Sequence, residues 1–217
     1  MFTWLCRLGL MAGFATLSAA PAQAVDLSLS QGRIVMSGVL YGDRDFDQLQ
    51  AFVKAHPEAR TVLMRNFFGG INMSTFIGVA SFIRERGLAT EVSGACISAC
   101  AIAFLGGVTR RTAADAKPQA TFVAFHGISQ RGNLAEEWRL TFTNALKRLT
   151  GGRMSDVVAT QSFEVFDSGY IAFYDGRRYK RPDGTSVFRC VGTERKKTHD
   201  CPGMKGVDAH VQGVYTR

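Results

Sequence analysis

Between residues 33 and 105 the chain alternates short apolar runs with segments whose apolar residues recur every three or four positions, and this alternation restricts its fold most. Residues 33–40 read as a strand, stopped by Tyr41-Gly42-Asp43. Phe46, Leu49, Phe52 and Val53 then recur at helical spacing until His56-Pro57. Residues 61–64 form a second short strand, followed closely by Gly69-Gly70. Over 71–86, Met73, Phe76, Ile77, Ala80 and Ile83 share one helix face, and Gly87 closes it. Residues 88–92 make a third strand, which feeds a small-residue turn, Gly94-Ala95-Cys96-Ile97-Ser98-Ala99, running into an apolar helix. Strands separated by helices pair in parallel through crossovers, so the pattern predicts an α/β core. Ligands in such sheets sit beyond the carboxyl ends of the strands, where Gly69-Gly70 and Ser98 both fall.

Further along, 121–126 is another apolar strand, ending in His126 before Gly127. A helix over 134–149 carries Trp138, Phe142, Ala145 and Leu149; Thr150-Gly151-Gly152 breaks it, and a second short helix follows over 154–161. From Gly169 the texture changes to short alternating segments with turns at Asp175-Gly176 and Asp183-Gly184, which read as hairpins.

The first 24 residues read as a secretory signal. Arg7 is a thin positive start, Leu8 to Ala20 supply a short apolar run, and Ala22-Gln23-Ala24 is an A-x-A cleavage site. A bilayer span needs about 20 apolar residues, so this run is too short for one. The expected organisation is therefore a signal peptide over 1–24, removed after Ala24, an α/β domain over 25–168, and a basic, β-rich extension over 169–217. The protein would be periplasmic or secreted.

Removal of the signal takes Cys6 with it and leaves Cys96, Cys100, Cys190 and Cys201. Four cysteines in an exported chain are compatible with disulfides in three pairings. Cys190 with Cys201 would staple a hairpin. Cys96 and Cys100, one helical turn apart, could reach each other or remain small buried thiols. A zinc site built from Cys96, Cys100 and His126 lacks a second pair of ligands, and no metal is expected. The formal charge of +8 is concentrated in the last third, from Arg177 to Lys197. No stacking aromatics are interleaved with these cations, so a solvated basic face is expected rather than a nucleic-acid partner.

A serine at a helix start lies near unpaired backbone N–H groups and the positive end of the helix dipole, which suits a nucleophile whose intermediate carries negative charge. The plainer role for Ser98 is to cap the helix. A serine nucleophile also needs a base, a group to hold the base's tautomer, and donors for the oxyanion. Among the four histidines only His126 ends a predicted core strand.

Gly69-Gly70, the turn from Gly94 to Ala99, and Phe125-His126 together resemble the Clp protease proteolytic subunit and its relatives in the ClpP/crotonase-like superfamily. Similar too are exported ClpP-like proteins carrying a Cys-x-Ser-Ala-Cys segment. The resemblance covers residues 38–168. It implies Ser98 as nucleophile, His126 as base, and an oxyanion hole from the N–H groups of Gly69 or Gly70 and of Ala99. Aligning Thr150-Gly151-Gly152 with the family's turn puts Glu164 at the triad acid, with Asp167 as the alternative. The chain departs from the family in carrying Phe67-Phe68 before the glycine pair, two bulky residues that would narrow the groove. The resemblance further implies a homo-oligomer acting on short or unfolded peptides, with no cofactor; an exported member would have no ATPase partner. A weakly active or inactive binding protein of the same fold is the alternative.

Overall fold

The computed structural model describes residues 25–40, 42–68, 70, 72–130, 133–165, 169–191 and 197–216. The expected signal segment 1–24, Gly69 and Asp167 lie outside the described residues. The chain opens with an antiparallel hairpin of β1 (Asp26–Ser30) and β2 (Arg33–Val39), turning at Gln31-Gly32 with φ of 52° and 70°. Then come α1 (Asp43–Ala55), β3 (Thr61–Phe68), α2 (Met73–Glu85), β4 (Ala89–Ser93), β5 (Ala95–Ile97), α3 (Ala99–Leu105) and β6 (Arg110–Thr112). The second half runs β7 (Phe122–Phe125), β8 (Ser129–Gln130), β9 (Asn133–Leu134), α4 (Arg139–Leu149), α5 (Asp156–Glu164), β10 (Tyr170–Phe173) and β11 (Val187–Cys190).

Two larger sheets and the short β8–β9 pair organise these strands, in a mixed α/β fold. The first has the order β1-β2-β3-β4-β6, and every pair in it except β1–β2 is parallel. The second has the order β11-β10-β7-β5, with β5 and β7 parallel and the other pairs antiparallel. The α/β class expected from the alternating pattern therefore holds. The predicted strand at 88–92 is β4, but the chain turns at Gly94 and β5 leaves for the second sheet, a corner that local pattern does not reveal. Strand β3 runs past Met64 to Phe68. It carries one extra residue against β2, where Met36 faces Met64 and Gly38 faces Phe67, with Asn66 at φ 45° in the irregularity.

The helices follow their sequence periods. Helix α1 buries Leu49 and Val53 together with Asp45 and leaves Asp43, Arg44, Asp47 and Lys54 exposed. Helix α2 buries a wider stripe including Phe76, Val79, Ala80 and Ile83, and Asn72 caps it by accepting from the Ser74 N–H at 3.0 Å. Helix α3 is apolar all round, and all seven of its residues are buried. Helix α4 begins at Arg139 rather than 134, because β9 pairs with β8 and Glu136–Trp138 forms a 3₁₀ turn first.

The stretch 169–217, read from the sequence as a basic β-rich extension, supplies β10 and β11, and both are built into the sheet that carries β5 and β7. Its end is sewn into the core. Val214 and Tyr215 are fully buried, and Tyr215 packs edge-on against Phe104 at 5.5 Å. The buried Arg110 guanidinium donates to the carbonyls of Gly107, Gly213 and Val214 at 2.6, 2.8 and 3.0 Å. Burial and the nearby Arg84 and Arg153 lower its pKa to about 10.

Candidate active site

Parallel pairing brings the sequence-predicted residues together. Ile97 of β5 faces Ala124 of β7, and the Ser98 N–H donates to the Ala124 carbonyl at 3.0 Å. Both strands end just beyond this point, so Ser98 and His126 emerge at the same edge of the second sheet. They line one cavity of about 580 Å³, together with Gly70 and Ala99. Apart from Asn72 and Gly127, the rest of the lining is apolar: Met73, Phe76, Ile102, Phe125, Ile128, Trp138 and Phe142. A space of this size, mostly apolar with a few polar groups in its lining, is typical of a small-molecule or side-chain pocket.

Ser98 does not cap α3. Its side chain makes no capping bond, and its φ of 63° and ψ of −119° lie outside the extended region that a capping serine uses. It is one of three non-glycine residues with positive φ among the described residues. Such a conformation costs on the order of 1–3 kcal/mol and is found where the surroundings enforce it. The half-buried hydroxyl is left for the cavity.

His126 is half-buried, and its Nδ1 lies 2.7 Å from the Gly127 carbonyl. A carbonyl only accepts, so Nδ1 carries the hydrogen and Nε2 keeps the lone pair. That is the tautomer a general base needs. Burial pushes the imidazole pKa below its ordinary value of 6.5, partly offset by the bond to Gly127, so the ring is neutral at pH 7. Gly127 is itself clamped: its N–H donates to the Val165 carbonyl at 2.6 Å, and a Cβ there would stand 1.9 Å from the Phe163 carbonyl. No hydrogen bond joins Ser98 to His126 among the described residues.

Glu164 is not joined to the imidazole. Its carboxylate turns to Arg139 on α4, with Oε1 3.4 Å from Nη1, while that guanidinium also binds Glu136 and lies over the Phe163 ring. Gly70 is required by space alone, since a Cβ would come within 1.6 Å of the Leu40 carbonyl. Phe67 does not narrow the groove; it is buried in the core, while the Phe68 side chain is outside the described set.

Both disulfides form: Cys96 with Cys100 and Cys190 with Cys201, each with a Cα separation of 5.2 Å. The zinc alternative loses its thiolates, because Cys96 and Cys100 are bonded to each other. Among the described residues no helix is long and apolar enough to cross a membrane. The wall formed by Trp138, Phe142 and Ile128 was missed from sequence. Trp138, in the 3₁₀ turn, and Phe142, on α4, look like ordinary core positions in the sequence, and only tertiary packing turns them to the cavity.

No protein-family model matches the chain, and no curated protein matches it in sequence. Among solved structures it is similar to a mutant of the 1510-N membrane-bound stomatin-specific protease, with 14% identity over 59% of this chain and 67% of that one and a TM-score of 0.40. A second mutant of that protease, in complex with a substrate peptide, matches at 14% identity over 60% and 63%, again with a TM-score of 0.40. The enoyl-CoA hydratase ECHA3 from Mycobacterium marinum matches at 11% identity over 64% and 68%, with a TM-score of 0.41. These neighbours are ClpP/crotonase-fold proteins at low identity.

Proposed function

We propose that the protein is a serine hydrolase of ClpP-like type, in which Ser98 attacks a carbonyl carbon and His126 Nε2 takes the hydroxyl proton. The backbone N–H groups of Ala99 and of the Gly69-Gly70 pair would hold the oxyanion. His126 would then return the proton to the leaving group, and water would release the acyl product by the same route. The observation carrying this reading is the single cavity shared by Ser98, His126, Gly70 and Ala99. Its mostly apolar lining favours a substrate with a large apolar side chain or acyl group beside the scissile carbonyl, a peptide being the first choice.

Two disulfides suit an oxidising compartment, in line with export and removal of residues 1–24. On this reading the protein is a homo-oligomer working in the periplasm or outside the cell, on short or unfolded peptides, without an ATPase partner. Fluorophosphonate labelling tests the chemistry. Labelling is expected in the wild type and lost in Ser98→Ala, with His126→Ala slowed by orders of magnitude; labelling that persists in Ser98→Ala removes the proposed nucleophile. A second reading, a binding protein that cleaves poorly, is favoured by the missing Ser98–His126 hydrogen bond. It predicts peptide binding in the cavity without turnover.

A further inference from the structure

Ser98 stands midway between two cysteines that are bonded across it. Cys96 is the middle residue of β5, in register with Val123 of β7, and Cys100 is the second residue of α3; both are fully buried. The link holds their Cα atoms 5.2 Å apart. Five residues continuing as a strand would separate the same atoms by about 13 Å, so the bond forbids β5 from running on through Ser98. The chain must turn at the serine. The turn it takes is one that L-residues avoid, with φ 63° and ψ −119°.

We propose that the Cys96–Cys100 disulfide is a positioning device for the nucleophile: it holds the Ser98 hydroxyl and the Ala99 N–H in their reactive arrangement, and the chemical step depends on it. This rests on the serine-hydrolase reading. Opening the link is a two-electron reduction. One thiolate of an incoming dithiol attacks a cysteine sulfur, and its second thiol closes on the mixed disulfide. Cys96 and Cys100 are left as thiols and the reagent as a cyclic disulfide. With both cysteines buried, that exchange requires local opening. The Cys190–Cys201 link, away from the cavity, serves as internal control.

The test compares oxidised wild type, Cys96→Ala/Cys100→Ala and Cys190→Ala/Cys201→Ala on a chromogenic apolar acyl ester, with circular dichroism to confirm folding. The first pair is expected to lower kcat about 100-fold with KM within about twofold, while the second pair keeps kcat. Should Cys96→Ala/Cys100→Ala fail to fold, Cys190→Ala/Cys201→Ala is reduced with dithiothreitol and then reoxidised; kcat must fall and return. A folded Cys96→Ala/Cys100→Ala protein with wild-type kcat, or a reduced protein that stays active, overturns the positioning role alone. A wild type that neither turns over nor takes up fluorophosphonate overturns the hydrolase reading and this inference together.

Discussion

Replacing Gly127 by alanine separates a clamped imidazole from a free one. The new Cβ would lie 1.9 Å from the Phe163 carbonyl and 2.6 Å from Leu134 Cδ1, where ordinary contact begins at 3.4 Å. The deficit against the rigid carbonyl at the end of α5 is about 1.5 Å, so the Gly127 peptide must move by roughly an ångström. A shift of that size stretches the 2.7 Å bond from Nδ1 past hydrogen-bond range and lets the ring turn. Misplacing a catalytic group by about 1 Å costs on the order of 100-fold in kcat. Overpacking of this kind costs about 1–3 kcal/mol, which for a chain of this length lowers Tm by about 2–12 °C. Steady-state hydrolysis and a thermal melt measure both. A purely structural defect would leave the pH profile alone, but the Gly127 bond raises the imidazole pKa, so its loss should move the acid limb to lower pH. The reasoning is refuted if Gly127→Ala loses stability as expected yet keeps kcat within about threefold and the acid limb in place. A large kcat loss in Glu164→Gln would refute it from the other side, since that carboxylate faces Arg139.

On the hydrolase reading the acid limb of kcat/KM should fall below pH 6.5: burial lowers the imidazole pKa, His126 would act as base only when neutral, and activity is lost as pH drops through the lowered value. A limb at or above 6.5 would assign the base elsewhere. Trp138→Ala should widen the apolar end and raise kcat/KM for longer acyl chains relative to short ones by about tenfold; an unchanged chain-length preference would place the substrate outside this cavity. Phe104→Ala removes a fully buried ring packed against Tyr215 and should cost about 3–5 kcal/mol, read as a Tm drop of about 6–20 °C.

Much of the site was legible because its logic is one-dimensional. Apolar runs alternating with helical periods force parallel strands, and parallel strands bring their carboxyl ends to one edge. Ser98 and His126 could therefore be paired from their positions at two strand ends. What escaped was set by tertiary contact. The corner at Gly94 divides an apolar run between two sheets, and nothing local says that β5 pairs with β7 rather than extending β4 in the first sheet. The strands of the C-terminal third looked like an appendage because each is only four residues long; their place beside β7 depends on partners far away in the chain. Helix period could put Trp138 and Phe142 inward, but not against a cavity.

The acid is the instructive case, because spacing could bring Glu164 near the histidine strand without saying which way its side chain turns. Arg139, one helix away, claims the carboxylate, and a main-chain carbonyl takes the imidazole N–H instead. A neutral acceptor holds the tautomer as well as a carboxylate does, but it stabilises the imidazolium of the transition state far less, since charge-assisted bonds are about twice as strong. Where a triad aspartate is made neutral without loss of geometry, kcat falls about 10⁴-fold, part of it through the wrong tautomer. Among the described residues, which do not include Asp167, the tautomer is right and only the charge contribution is missing. On the hydrolase reading the protein should be a slow enzyme rather than an inert one. Its acylation by a fluorophosphonate should be measurable but well behind that of a complete triad, and equally fast in Glu164→Gln.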